Sequence, residues 1–400
     1  MYNISKEHAY YPIGSDVNIV YDEDGNPLTD ADGNPMYLSY RPGAISEDLT
    51  WEKTTTYNAG LDFGFLKGRI TGSVDYYYRK TDDLINYVDV PVGANFSNRV
   101  LKNIGSLTNQ GVEVSLNAVA IDKPAHRSKF KWDMGLNFTW NQNRITSLNI
   151  GEGDSFVRTG GISSGLGDGY IQAHKKGYAA SVFHYYETAA GFDASGNKVY
   201  YAIDTNKDGD VTDEDRVMNN NIVPMAPYTL GFQSKWQFFN FDISFSLRAS
   251  IGNYVYNDVL AGSVYSAADA NLCSSQNGGY HGVLKDAYNA YYNDKIQPDK
   301  MLMRKWDAAK GAYVDSDTPF NQYALTDIFI ENASFIRCDN ITVGYTFDKN
   351  PNVKARIYAT VQNPFVITGY SGLDPEHFGG IDNNIYPRCT TSLIGLSLQF

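Results

Sequence analysis

The most constraining feature of this chain is strict alternation of apolar and polar residues, sustained for about ten residues at a time. From Phe130 the even positions read Phe130, Trp132, Met134, Leu136, Phe138 and Trp140. The odd positions read Lys131, Asp133, Gly135, Asn137, Thr139 and Asn141. Successive strand side chains point to opposite faces, so this is a strand with one apolar face and one polar or small face. The same rule holds over residues 57–65, 112–118, 241–248 and 355–362. Strands of soluble proteins average roughly 5–6 residues, and these runs are about twice as long. About ten residues at ~3.4 Å rise and ~40° tilt span roughly 25 Å, the height of the apolar band on a membrane barrel. Phe130 and Trp132 at one end and Trp140 at the other suit the two lipid–water interfaces.

The pattern predicts strands near 54–66, 69–89, 98–119, 128–147, 226–239, 240–256, 334–347, 352–364 and 390–400, with an earlier one near 1–12. Short turns such as Lys67-Gly68, Phe239-Asn240 and Asp348–Pro351 alternate with long segments at 148–225 and 257–330. Short periplasmic turns and long extracellular loops are the habit of outer-membrane barrels. Within 178–203, parity allows either no spanning strand or two. The last strand alternates Ile394, Leu396, Leu398 and Phe400 with Gly395, Ser397 and Gln399. That ending resembles the signal read by the outer-membrane barrel assembly machinery. The fold class is all-β: an antiparallel transmembrane β-barrel segment. A long-stranded soluble sandwich or β-helix is the alternative.

Composition supports a structure with two faces. There are 31 Tyr, 20 Phe and 36 Gly, yet hydrophobic residues make up only 42%. The net charge of -12 argues against nucleic acid, which needs clustered Lys and Arg. Cys273, Cys338 and Cys389 show no short spacing that would suggest a disulfide framework or zinc site. No apolar run is long enough for a membrane helix, and the first residues have no signal-peptide core. The chain is therefore expected to be a fragment.

Several segments, in order, resemble the SusC/RagA-type barrel of TonB-dependent outer-membrane transporters from Bacteroidetes-like bacteria. They are Leu49-Thr50-Trp51-Glu52-Lys53, Asn58–Asp62, Gly72–Leu84 and Asn103–Glu113. Later come Ala333-Ser334-Phe335-Ile336-Arg337, Asn340–Tyr345, Gln362-Asn363-Pro364-Phe365 and Gly372-Leu373-Asp374-Pro375-Glu376. The resemblance implies that residues 1–400 supply the C-terminal part of the barrel, about ten strands of about 22, with insertions at 148–225 and 257–330 and no plug domain. It implies residence in the outer membrane, contact with its lipid, and import of oligosaccharides or peptides. It also implies a SusD-like lipoprotein on the outer face, and TonB acting through the missing N-terminal part. The alternative is a calcium-stiffened surface-binding barrel without transport activity.

One motif points to a metal. Residues 204–215 read D-T-N-K-D-G-D-V-T-D-E-D, the pattern of a calcium loop. Asp204, Asn206, Asp208, Asp210, Thr212 and Asp215 are the candidate Ca2+ ligands, and Gly209 permits the sharp turn. An acidic surface turn held by Asx hydrogen bonds is the competing reading. Asp22–Pro27 and Asp30–Pro35 repeat a turn sequence, with a second calcium site as the alternative. An enzyme is not expected. His8, His126, His174, His184, His281 and His377 lack metal-ligand spacing, and there is no GxSxG elbow or P-loop. Asp374–His377 reads as a structural turn. The tyrosines at 185, 186, 254, 256, 288, 291 and 292 either stack on sugar rings or pack loops and interface girdle.

Overall fold

The computed structural model describes residues 46, 48–89, 99–123, 130–150, 156–163, 169–193, 195–196, 198–262, 301–350, 353–383, 385–386 and 388–399. The expected strand at 1–12, the turns at 22–35, Tyr288, Tyr291, Tyr292 and Phe400 lie outside them.

Nine long strands form one sheet. They are β1 (Lys53–Phe65), β2 (Ile70–Asp89), β3 (Arg99–Lys123), β4 (Phe130–Leu148) and β5 (Tyr228–Phe238). They continue as β6 (Phe241–Ile251), β7 (Phe335–Asn350), β8 (Val353–Thr368) and β9 (Thr391–Gln399). Each strand pairs with its neighbours in this order. From β4 to β9 every pairing is antiparallel. The nine predicted strands from 54 onward are all present. No described helix is long and apolar enough to cross a membrane, which has no bearing on strands.

The apolar faces are turned outward. Leu61 is 68% exposed and Ile394 83%, and Leu136, Trp236, Phe241, Ile243, Val343, Phe347 and Ile357 are also exposed. In water such a surface would carry a cost of roughly 25 cal/mol per Å2. Aromatic pairs extend across it from strand to strand, as with Trp132–Trp236 (6.2 Å) and Phe130–Phe238 (6.4 Å). This is the inverse of a soluble protein, and it suits a hydrocarbon solvent.

The opposite face is polar. Asp242 on β6 and Arg356 on β8 reach across β7 and pair through two bonds, of 2.9 and 2.5 Å. Gly344 makes that reach possible. A Cβ there would lie 2.6 Å from both Arg356 Nη2 and Asp242 Oδ1. Gly344→Ala is therefore expected to split the pair and destabilise the protein by about 1–3 kcal/mol. Heat-modifiable gel migration of the purified protein measures this.

Two compact units are distinguished by their internal contacts. In the first (residues to 55, 80–107 and 146–155), Asn103 is the tie. Its Oδ1 accepts from Thr50 N (2.8 Å), and its Nδ2 donates to Asp83 O (2.6 Å). The second unit contains everything else, including three small sheets. Phe156–Gly161, Tyr170–Lys175, Val182–Tyr185 and Val217–Met218 form one. Thr188–Phe192, Lys198–Ile203, Leu302–Asp307 and Ala312–Pro319 form another. Tyr254–Asn257, Ile330–Asn332 and Ile381–Asp382 form the third. None of the strands within 178–203 joins the nine-stranded sheet.

These short elements have a conventional buried core that includes Ile171, Phe183, Tyr185, Tyr186, Tyr256, Leu325 and Phe329. Tyr185, Tyr186 and Tyr256 are thus packing residues and are not available to stack on sugar rings. Burial, with the nearby Glu187 and Asp327 charges adding to it, pushes the Tyr185 hydroxyl up to about 12.

Candidate functional site

Two arrangements of polar groups stand out in the second unit. The first is an ion-pair cluster at the end of the polar face. Arg248 (β6) and Arg337 (β7) sit directly opposite each other in register, and like charges so placed repel. Three carboxylates resolve the conflict. Arg248 binds Glu376 through both terminal nitrogens (2.5 and 2.8 Å) and Asp339 through Nε (2.7 Å). Arg337 binds Asp374 (2.6 Å), and both side chains are only 4% exposed. Arg388 adds contacts to Glu376 (2.9 Å) and Asp374 (3.4 Å). Asp339 reaches Arg248 because the β7–β8 register shifts between Cys338 and Asn340, and bulges of this kind re-aim a side chain.

The Asp374-Pro375-Glu376 turn is thus clamped to the sheet by the guanidinium groups of Arg248 and Arg337, and Arg388, from the segment before β9, adds a third. Burial alone would raise the Glu376 carboxyl, but the hydrogen bonds from Arg248 and the charges of Arg248, Arg388 and Arg337 outweigh it. The net displacement is downward. A carboxyl lowered in the folded state contributes stability above its unfolded value of about 4.3 and loses it as pH falls through the folded value. The protection of amides 372–378 against hydrogen exchange, taken relative to the intrinsic rate at each pH, is accordingly expected to fall below about pH 4. In Glu376→Gln that pH dependence should be blunted.

Beside the clamp, Tyr370 donates to Asp382 (2.7 Å). Burial, reinforced by that bond, raises the Tyr370 hydroxyl. Sequence reasoning did not find Arg248, Arg337, Arg388, Asp339 or Asp382. Its one available signal was that Arg337 and Glu376 close two of the family-like motifs.

The second arrangement is the acidic loop. Asp204 and Asp215 are completely buried. Asp204 accepts from the backbone N–H groups of Lys207 (2.6 Å), Gly209 (2.8 Å) and Trp306 (3.0 Å). Asp215 accepts from those of Thr205 (2.7 Å), Asn206 (3.1 Å) and Thr212 (2.7 Å). Gly209 has φ +101, the left-handed region that favours glycine. Thr212 caps a single helical turn at Asp213–Asp215. Asn206 and Asp208 bond each other, and Asp210 pairs with Lys305 (2.7 Å). Lys305 and the Lys207 ring contact on Trp306 (4.6 Å) tie the loop to the strand at Leu302–Asp307. Among the described residues, no three His, Cys, Asp or Glu side chains converge as a metal cage.

Comparison with known proteins fits this geometry. Residues 11–248 match the family model described as TonB dependent receptor-like, beta-barrel. The TonB-dependent receptor SusC of Bacteroides thetaiotaomicron is 42% identical over 100% of this chain, which spans 35% of that relative. The TonB-dependent receptor P39 of Formosa agariphila is 29% identical over 88% of the chain and 36% of its own length. The solved structure of the RagAB peptide transporter superposes on 94% of this chain and 38% of the matched chain, with TM-score 0.64 and 22% identity. The chain therefore spans about a third of the length of these relatives. Its exposed apolar face, its opposite polar face and its match over more than half its length have one common explanation: the chain belongs to the TonB-dependent receptor β-barrel family and is SusC-like.

Proposed function

We propose that this chain is part of the wall of an outer-membrane importer. TonB drives uptake through a part of the protein outside this chain, and a SusD-like lipoprotein caps the outer face. The cargo is an oligosaccharide or a peptide. The observation that carries this reading is the inversion of the sheet. Its apolar side is exposed, and its polar side holds the buried Arg337–Asp374 pair and the Asp242–Arg356 pair. A lipid-facing wall around a hydrated interior needs that division. The family is one of transporters and receptors, and we assign this chain no catalytic step. The test is uptake of labelled oligosaccharides and peptides by cells expressing the complete gene, with and without a protonophore. Import predicts that uptake collapses when the proton gradient is removed. Surface binding that survives the protonophore, with no internal label, would favour a binding barrel without transport.

Calcium at the acidic loop is a second proposal, favoured by one observation. Asp204 and Asp215 bury two carboxylates whose partners are N–H groups and the Thr205 hydroxyl, with no cationic side chain bonded to either among the described residues. Buried negative charge of this kind is costly unless balanced, and oxygen donors suit a hard cation. Asp204, Asn206, Asp208, Thr212, Asp215 and the Asp210 carbonyl would hold it. Calcium is expected to slow proteolysis within 204–216 and EGTA to restore it. Unchanged cleavage in both conditions would leave the loop as an Asx-bonded turn.

A further inference from the structure

We propose that Met225 is a site of modification by peroxide, and that Asn141 and Asn143 of β4 form a two-donor seat for its sulfoxide.

The thioether is held in place before any oxidant arrives. Met225 lies between Pro224 and Pro227 in the segment that leads into β5. Proline has no backbone N–H, which limits the segment's own hydrogen bonds. Its neighbours fix it instead. Tyr254 N donates to Val223 O (2.9 Å), and Asn141 N donates to Pro227 O (2.9 Å). Met225 is 54% exposed, yet its sulfur is engaged. Asn141 Nδ2 lies 3.4 Å from Sδ and Asn143 Nδ2 lies 3.5 Å from it. The two asparagines are two positions apart on one strand, so their side chains share a face.

The far ends of the amides set their orientation. Asn143 Oδ1 accepts from Ala180 N (2.7 Å), a donor that the NH2 end could not satisfy. Asn141 Oδ1 accepts from the Tyr77 hydroxyl (2.7 Å). Both NH2 groups therefore turn to the sulfur. A thioether is a weak acceptor, so this seat is better matched to an oxygen, and oxidation supplies one. A sulfur lone pair attacks one oxygen of hydrogen peroxide, forming the S–O bond as the O–O bond breaks. Sulfur loses two electrons, and the departing hydroxide takes the proton of the transferred oxygen and leaves as water. In an apolar core the polar sulfoxide disrupts packing. Here its oxygen accepts from two amides at the surface.

Two consequences distinguish this seat from chance oxidation. Met301 is 1% exposed, and Met134, Met218 and Met303 are partly buried, so Met225 should react first among the described methionines. The sulfoxide is also chiral. Donors on one side of the sulfur should favour one epimer.

The test treats outer membranes containing the complete protein with dilute hydrogen peroxide and maps oxidation by peptide mass spectrometry. A peptide carrying Met225 sulfoxide alone is then treated with each of the two epimer-specific methionine sulfoxide reductases. One epimer is expected in at least about fivefold excess. Asn141→Asp combined with Asn143→Asp keeps both Oδ1 acceptors and replaces both donors with carboxylate oxygens. Heat-modifiable migration checks its folding, and its epimers should form in about equal amounts. Proteolysis within 219–227 should slow on oxidation of the wild type, because the added bonds tie this segment to β4. If the double variant does not fold, the wild-type epimer ratio decides. Equal epimers in the wild type, an undiminished excess in the folded double variant, earlier oxidation of another described methionine or faster cleavage after oxidation would each overturn the assignment.

Discussion

Arg337→Met should destabilise the complete protein by about 3–5 kcal/mol, the usual cost of removing one partner from a buried ion pair. Arg337 and Asp374 are both buried and meet at 2.6 Å. Without the guanidinium, the Asp374 carboxylate keeps Arg388 at 3.4 Å and the Glu376 N–H at 2.9 Å. Arg388 is 41% exposed, so Arg388→Met should cost no more than about 1 kcal/mol. Urea unfolding in phospholipid vesicles, followed by tryptophan fluorescence, compares the two. Equal costs would mean that the clamp does not depend on the buried pair. The loss is specific to the loop's attachment, so proteolysis within 369–380 should rise in Arg337→Met before the sheet unfolds.

Val343→Arg is expected to cost about 2–4 kcal/mol, the penalty for a cation near the midplane of a barrel's lipid face. Val343 lies in the middle of β7 and is exposed on the apolar side. Thr342, its neighbour, points to the polar side, where its hydroxyl meets that of Thr360 at 2.8 Å. Thr342→Arg should therefore cost markedly less. In a soluble protein the order would be reversed, because an exposed valine accepts arginine readily.

The wall was legible in the sequence because its signal is local. Alternation over about ten residues reports a strand with two different environments wherever the strand pairs. The nine strands from β1 onward lie where that pattern places them. One boundary was misread. Residues 240–256 read as a single strand, but β6 stops at Ile251 and Tyr254–Asn257 pairs with Ile330–Asn332 and Ile381–Asp382 instead. Gly252, at φ +86, makes the turn. The phase of the pattern also shifts there. Apolar residues occupy odd positions through Ile251 and then run continuously from Tyr254 to Tyr256, which is buried.

The polar cluster was not legible, because its partners are far apart in the chain. Arg337 and Asp374 are separated by 37 positions, Arg248 and Glu376 by 128. What the sequence displayed was the two family-like motifs ending at Arg337 and Glu376, and the structure shows them as two halves of one clamp. The loop tyrosines were ambiguous for a related reason. Tyr185 and Tyr256 occupy short strands, and Tyr186 directly follows one; all three are covered by segments remote in sequence, such as Tyr323–Leu325 and Phe329. The acidic loop was legible as a self-contained element, since the hydrogen bonds of Asp204 and Asp215 to its backbone are largely local. Its affinity for calcium is a matter for the proteolysis experiment.

The most direct test of the central claim is the accessibility of β8 in bilayers. Single spin labels at residues 355–362 of the complete protein would be probed with oxygen, which concentrates in lipid, and with a water-soluble nickel chelate. Positions 355, 357, 359 and 361 are expected to favour oxygen, and positions 356, 358, 360 and 362 the chelate, in strict alternation. Chelate access at all eight positions would contradict a membrane wall. It would make the exposed apolar face a surface for protein contacts instead.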